Sequence, residues 1–282
     1  MNDRRQRKSS SRRPRVSAKA AATLDWAGEE STGQFDPPSL KHFLMEARAP
    51  AELFGGLASF FVDHWFPRGD GHPIVVFPGM GASDRSTLLL RRFLRKLGYR
   101  VYGWEQGLNL GPRHGVLSRC RDRVHEINER YDRKVTLIGW SLGGIYAREM
   151  AKLEPDRVRQ VVTLASPFAG SPHATNAYPL FRLLTGHHVH HEPGLLDRIR
   201  EAPPVPSTSI FSRTDGIVSW VCSVQNPAPQ SENIQLAASH FGIGFNPLAL
   251  FAIADRLAQH EGAWQPFEIR GLRKLLFSAF GA

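Results

Sequence analysis

The sequence predicts an α/β protein whose mostly parallel sheet, of about six strands, is covered by helices on both faces. Short apolar strands alternate with amphipathic helices from residue 73 onward, as in buried parallel sheets. At 135–151, the apolar run V-T-L-I passes through a tight turn into a helix, reading V-T-L-I-G-W-S-L-G-G-I-Y-A-R-E-M-A. The 282 residues suffice for one large domain with a sizeable core.

The first 36 residues predict a basic, disordered tail. Residues 1–20 contain eight Lys or Arg and one Asp, which is seven of the ten net positive charges. The rest of the chain is close to neutral, so the folded part is not expected to bind nucleic acid. A tether to nucleic acid or to a membrane surface through the tail stays open.

Residues 37–68 are predicted to form one or two amphipathic helices that pack on the main body. Apolar residues recur at helical spacing, and Pro50 and Gly55-Gly56 are expected to interrupt the pattern. Transient contact of this segment with a membrane surface is the alternative.

Cysteine usage and hydropathy suggest a cytoplasmic protein. Cys120 and Cys222 imply no disulfide framework and are interpreted as small buried residues. No stretch reaches the roughly 18–20 apolar residues of a membrane span. The paired arginines near the start precede a segment too short and polar for an export signal.

Residues 69–282 are predicted to form the main domain. Strands are expected at 73–77, 99–102, 135–138, 161–164, 208–212 and 233–237, and helices at 86–97, 116–131, 142–153 and 247–257. Residues 168–206 interrupt this alternation, and an insertion of this length is typical of a lid over a site. Its histidine run, 187–191, lacks the companion ligands of a metal site, so no metal is expected.

Ser141 is the candidate nucleophile because it occupies the apex of the strand–turn–helix stretch. A serine on so sharp a turn has strained backbone angles, so the residues two before and two after it must be small. Gly139 and Gly143 meet this requirement. The N-terminus of the following helix favours negative charge developing beside the hydroxyl.

Asp215 and His240 are the candidate partners of Ser141. Ligands of parallel sheets bind beyond the carboxyl ends of the strands, so a catalytic residue should directly follow a strand. Asp215 follows the strand at 208–212, and His240 follows the strand at 233–237. Asp132 and Asp156 precede strands and are therefore excluded. The order Ser, Asp, His gives a nucleophile, a carboxylate that orients the ring, and a base.

The oxyanion donors are predicted to be the backbone N–H groups of Leu142, directly after the nucleophile, and Met80. Met80 lies in the loop Pro78-Gly79-Met80-Gly81 after the first strand. Four residues are expected to line the substrate site: Gly79, Trp104, Asn109 and Trp140.

Four short motifs resemble those of the α/β-hydrolase superfamily, and within it bacterial esterases and lipases. They are P-G-M-G-A-S at 78–83, G-W-S-L-G-G at 139–144, S-R-T-D-G-I-V at 212–218 and S-H-F-G at 239–242. In such enzymes these are the oxyanion loop, nucleophile elbow, acid turn and histidine turn. The resemblance covers about residues 69–264 and implies cofactor-free hydrolysis of carboxylic esters through an acyl-enzyme, with a small-molecule ester or lipid as substrate.

Two other functions remain open at this point. An acyltransferase would use the same three residues and pass the acyl group to an acceptor other than water. A non-catalytic binding protein would share the scaffold but lack a member of the triad. The sequence leaves the oligomeric state, the acyl-chain length and the choice between lipase and esterase undetermined.

Overall fold

Six parallel strands form a single sheet. In the computed structural model the strands are β1 (Pro73–Phe77), β2 (Arg100–Gly103), β3 (Val135–Trp140), β4 (Val158–Leu164), β5 (Ser207–Phe211) and β6 (Ser231–Gln235). Their order across the sheet is β2-β1-β3-β4-β5-β6. Every residue of β1, β3, β4 and β5 is buried, and apart from Arg159 and Gln160 in β4 these strands consist of apolar or small residues. The predicted parallel sheet is confirmed.

The structure describes residues 36–170, 174–179, 183, 195–269 and 277, and all of them belong to a unit spanning 35–282. Residues 1–35 of the predicted basic tail, the histidine run 187–191 and nearly half of the predicted lid lie outside the described residues. Within the described ranges, no helix combines the length and the apolar character that a membrane span requires.

Helices cover both faces of the sheet. They are α1 (Leu40–Met45), α2 (Ala49–Ser59), α3 (Leu88–Lys96), α4 (Val116–Tyr131), α5 (Leu142–Leu153), α6 (Leu195–Arg200) and α7 (Pro247–Leu257). One core contains the inner faces of α3 and α7 with Ile74, Ile138 and Val162. The other contains α4 and α5 with Val75, Leu137 and Val161. Alternate residues of each strand therefore enter opposite cores.

The N-terminal segment runs as α1, a single turn of 3₁₀ helix (Glu46–Arg48) and α2. The expected interruptions within it are wrong. Pro50 occupies the first turn of α2, where a missing N–H costs nothing. Gly55 and Gly56 lie inside α2 because this helix packs tightly on the body: a Cβ at Gly56 would lie 2.5 Å from the carbonyl oxygen of Phe245.

Candidate active site

Ser141 lies on a strained turn between β3 and α5. Its backbone angles, φ of +51° and ψ of −123°, are unusual for a residue other than glycine. A Cβ at Gly139 would lie 2.3 Å from the Cα of Gly144, and one at Gly143 would lie 2.3 Å from the carbonyl oxygen of Phe77. The turn closes only because both positions lack a side chain, as the sequence predicted. The N–H of Ser141 donates to the carbonyl of Leu164 at 2.8 Å, which ties the turn to the end of β4.

Asp215 and His240 are in direct contact at the carboxyl end of the sheet. Nδ1 of His240 lies 2.8 Å from Oδ2 of Asp215, and both residues are buried. The other carboxylate oxygen, Oδ1, accepts from the N–H groups of Ile217 and Val218, each at 2.8 Å. Both carboxylate oxygens are thus hydrogen-bonded, and Oδ2 holds the imidazole through Nδ1, which leaves Nε2 as the remaining ring nitrogen.

The turn that carries His240 is also hydrogen-bonded to Trp140, the residue before Ser141. The indole Nε1 of Trp140 donates to the carbonyl of His240 at 3.0 Å. Among the described residues, no hydrogen bond joins Oγ of Ser141 to the His240 ring. Catalytic hydrogen bonds often tighten only in the substrate complex, so the absence of this bond does not exclude Ser141 and His240 as a nucleophile and its base.

The pKa of His240 is raised above its ordinary value. Burial is the largest influence and lowers the pKa, but the charge of Asp215, its hydrogen bond and the charge of Glu46 together outweigh burial. An imidazole so placed is stabilised when it carries a proton, which is the state that a general base reaches during attack.

A pocket of 310 Å³ opens beside Ser141, and its wall is almost entirely apolar. Met80 and Leu142, the predicted oxyanion donors, both line it. Ile145, one turn along α5 from Ser141, forms part of the same wall, together with Leu196 and Ile199 of α6. A pocket of this size and polarity suits an acyl chain or another apolar group next to a reacting carbonyl.

The four predicted substrate-lining residues are not among the residues of this pocket wall. Trp104 is buried and stacks on Tyr146, with ring centroids 6.4 Å apart. Trp140 is buried beneath the histidine turn, as described above. Gly79 lies against Ser141, since a Cβ there would lie 3.3 Å from the Cβ of Ser141. The two tryptophan rings belong to the two hydrophobic cores, Trp140 to one and Trp104 to the other.

Asn109 supports the loop of Met80 instead of facing the pocket. The side chain is fully buried, and Nδ2 donates to the carbonyl of Pro78 at 2.8 Å. Its backbone carbonyl accepts from the N–H of Gly81 at 2.7 Å, and its N–H donates to Ala82 at 2.8 Å. One asparagine therefore fixes the loop that carries the Met80 N–H on both sides of that residue.

Sequence reasoning missed the part of the N-terminal segment that reaches this site. Glu46 accepts from the N–H groups of Gly216 and His240, and Glu52 accepts from the N–H of Ser239 at 2.9 Å. The available signal was a pair of carboxylates within an apolar helical pattern, which indicates either solvent exposure or a specific buried partner.

Neither cysteine is a rival nucleophile. Cys120 and Cys222 are free and buried, and burial raises their thiol pKa values to about 11 and about 12. A thiol with so high a pKa is inert at neutral pH. In the described ranges, no group of three or more His, Cys, Asp or Glu side chains could hold a metal ion.

Known proteins with similar sequences and folds agree with this architecture. The chain is 30% identical over 103 residues to a pimeloyl-[acyl-carrier protein] methyl ester esterase of Photobacterium profundum, a match covering 36% of this chain and 40% of that protein. The Aliivibrio fischeri enzyme of the same name is 29% identical over 106 residues, covering the same shares. The matched region thus spans well under half the length of these relatives.

Solved structures of lipases have a similar fold. Aspergillus fumigatus lipase B superposes with a TM-score of 0.53 at 18% identity, covering 76% of this chain and 58% of the lipase. Bacillus licheniformis lipase BlEst2 in its mature form gives 0.50 at 18% identity, covering 70% and 95%. The sequence profile of the Alpha/beta hydrolase family matches residues 18–275. The chain belongs to the alpha/beta hydrolase family.

Proposed function

We propose that this protein is a serine hydrolase that cleaves carboxylic esters with an apolar acyl group. The observation that carries the proposal is the buried 2.8 Å contact between His240 and Asp215 at the sheet edge where Ser141 lines an apolar pocket. The named activities of the relatives, which are ester hydrolysis and lipolysis, support the same reaction class.

In the proposed reaction, Oγ of Ser141 attacks the ester carbonyl carbon while Nε2 of His240 takes the hydroxyl proton. The carbonyl oxygen becomes an oxyanion, which the N–H groups of Met80 and Leu142 stabilise. Collapse of this intermediate breaks the bond to the alcohol, and His240 returns the proton to the leaving oxygen. Water then attacks the acyl-enzyme by the same route and releases the acid.

Each further residue has a separate task in this scheme. Asp215 holds the His240 ring in one tautomer and stabilises its positive charge. The strained turn exposes Oγ at the start of α5, where the helix dipole favours the developing negative charge. The apolar wall around Ile145 binds the acyl chain and excludes water from the ester.

The test is covalent labelling with a fluorophosphonate probe together with hydrolysis of p-nitrophenyl esters. The wild type should be labelled at Ser141, and Ser141→Ala should lose both labelling and about 10⁴–10⁶-fold in turnover. A folded Ser141→Ala variant with full esterase activity would contradict the mechanism. Product analysis with added alcohols separates hydrolysis from acyl transfer, because a transferase forms the new ester in preference to the free acid.

A further inference from the structure

Glu46 joins the two loops that carry Asp215 and His240. Its Oε1 accepts from the N–H of Gly216 and from the N–H of His240, each at 2.8 Å, across separations of 170 and 194 residues. Its Oε2 accepts from the N–H of Phe241 at 3.1 Å. The residue is only 8% exposed. One carboxylate therefore contacts the backbone directly after the acid and directly at the base.

Two further residues of the N-terminal segment, Arg48 and Glu52, contact the same two loops. The guanidinium of Arg48 donates to the carbonyl of Thr214 at 2.9 Å, next to Asp215. Glu52 accepts from the N–H and hydroxyl groups of Ser239, next to His240. The inner face of the N-terminal segment thus holds both loops, and within the described part of this segment Glu46 is the residue whose side chain is hydrogen-bonded to both.

Glu46 also contributes charge at the base. Its negative charge and that of Asp215 raise the pKa of His240 against the lowering effect of burial. The other charged groups nearby are paired: Arg48 lies 3.7 Å from Glu52, and the guanidinium of Arg213 lies over the ring of Trp220 at 4.5 Å. Loss of the Glu46 charge should therefore make the protonated imidazole less stable.

We propose that Glu46 is a positioning residue of the hydrolase, which sets the spacing between the acid turn and the histidine turn. This proposal rests on the proposed function, because it concerns the same triad. Without the carboxylate, the N–H groups of Gly216, His240 and Phe241 would lose their acceptor, and the two loops would move to regain hydrogen-bond partners. A displacement of about 1 Å at a catalytic base lowers turnover by about 10²-fold.

The experiment compares Glu46→Gln and Glu46→Asp with the control Glu154→Gln in hydrolysis of a p-nitrophenyl ester with a short acyl chain. Glu154 is also a buried carboxylate, but it pairs with Arg121 and His125 at the opposite end of α5 from Ser141. Glutamine keeps one acceptor oxygen but has no charge, whereas aspartate keeps the charge but is too short to reach both loops. We expect both Glu46 variants to lose about 10–10²-fold in kcat with little change in KM. The acid limb of the kcat/KM profile should shift to lower pH in Glu46→Gln and less in Glu46→Asp.

The control separates positioning from stability. Glu154→Gln should lower the melting temperature and leave kcat and the acid limb in place. The proposal is overturned if the Glu46 and Glu154 variants lose similar stability while kcat and the acid limb stay at wild-type values in all of them. Failure of the proposed function would look different, because Ser141→Ala would then retain activity whatever the Glu46 variants do.

The outer face of the same segment carries an independent observation. Large apolar side chains are exposed there instead of buried: Leu40, Phe43, Leu44, Leu53, Phe54, Leu57, Phe61 and Trp65. Phe54, Phe61 and Trp65 are 71%, 85% and 70% exposed. The exposed ring of Phe241 extends this character to the active site, since its centroid lies 5.8 Å from that of His240. Exposed apolar surface of this extent marks an interaction site.

The positive charge of the residues before this segment indicates a negatively charged partner. The segment follows a stretch, residues 1–20, with eight Lys or Arg and one Asp. An apolar helical face and a basic stretch are the two weak signals that together give stable binding to an anionic bilayer. We infer that the outer face of α1 and α2 docks on an anionic lipid surface, with the tail contributing electrostatic attraction.

The test is co-sedimentation with phosphatidylcholine vesicles, with and without phosphatidylglycerol, at low and high salt. The wild type should bind the anionic vesicles, less so at high salt. Phe54→Ser/Phe61→Ser should lower binding about tenfold or more, and removal of residues 1–20 should remove the salt-sensitive part. Leu153→Ser, at an exposed position 58% accessible at the far end of α5, is the matched control and should bind like the wild type.

Three outcomes would overturn the lipid proposal. They are equal binding to neutral and anionic vesicles, unchanged binding of the double variant, and a wild-type dimer that the double variant dissociates. The last result would assign the face to a second copy of this chain.

Discussion

The pocket beside Ser141 predicts how activity depends on acyl-chain length. A dry apolar cavity of about 150 Å³ binds benzene, which has six carbon atoms. The 310 Å³ here therefore accommodates about twelve carbons, including the carbonyl group. Substituting Ile145 by tryptophan places a large ring in the wall next to the nucleophile and should shorten the acyl chain that fits.

The magnitude follows from the apolar lining. Each methylene moved from water into the pocket contributes about 0.8 kcal/mol, which is about fourfold in kcat/KM if the transition state retains the contact. Lengthening butanoate to octanoate adds four methylenes, or about 3.2 kcal/mol and about 200-fold. We expect Ile145→Trp to remove most of this gain, lowering octanoate activity by about 10²-fold and butanoate activity by about threefold or less.

The assay is kcat/KM for p-nitrophenyl esters of two to twelve acyl carbons, measured below the concentration at which the longer esters form micelles. Leu153→Trp provides the control, because this exposed position lies on the same helix but away from the pocket. The reasoning is refuted by a flat wild-type profile. It is also refuted if Ile145→Trp lowers activity equally on every ester, since that result indicates damage to the nucleophile turn.

Three further predictions concern the supports of the site and the fold. Asn109→Ala frees the carbonyl of Pro78, so kcat should fall about 10–10²-fold with KM nearly unchanged in the ester assay. Gly143→Ala places a Cβ 2.3 Å from the carbonyl oxygen of Phe77, so urea unfolding should show a loss of about 3 kcal/mol or more. Burial lowers the pKa of His72 to about 4, and the folded protein therefore stays unprotonated there as pH falls from 6.5, while the unfolded chain takes up a proton. Stability should fall by up to about 3 kcal/mol across this window, and His72→Gln should flatten the dependence in urea titrations at each pH.

Each of these three predictions would be contradicted by one result. An Asn109→Ala enzyme with wild-type kcat would show that the loop of Met80 is held by other contacts. Wild-type stability of Gly143→Ala would mean that β1 can move away from the turn. A wild-type pH profile in His72→Gln would assign the acid sensitivity to other groups. The raised pKa of His240 acts in the opposite direction and above pH 6.5, so the two histidines are separable.

The sheet was predictable because its strands are buried on both faces. Strands of this kind are mostly apolar, and β1 and β3 are therefore visible as nearly continuous apolar runs in the sequence. The predicted bounds of β1 match the observed ones, and the ends of the other strands differ by up to three residues, as for β4, which begins at Val158 instead of Val161. Strand ends depend on pairing with neighbours, which composition does not specify.

The contact between Asp215 and His240 was predictable for a geometric reason, and the pocket wall was not. All strands of a parallel sheet end at the same edge, so residues that directly follow different strands lie near one another. Apolar residues, by contrast, fill a core and line a pocket equally well. Trp104 was predicted to line the site, yet it packs against Tyr146 of α5 inside the protein. Ile145, the residue before Tyr146 in α5, lines the pocket.

The role of Glu46 marks the limit of prediction from local pattern. A carboxylate between two short helices is typical of a solvated surface, and the N–H donors that Glu46 meets are not among its neighbours in the sequence. Its partners lie 170 and 194 positions away, and they become neighbours only after the sheet has brought the two loops together. The sheet therefore determines where Asp215 and His240 emerge, but a segment outside the sheet completes their support. Candidate residues chosen by strand order alone are consequently an incomplete description of such a site, because the groups that fix the spacing of the loops need not follow a strand.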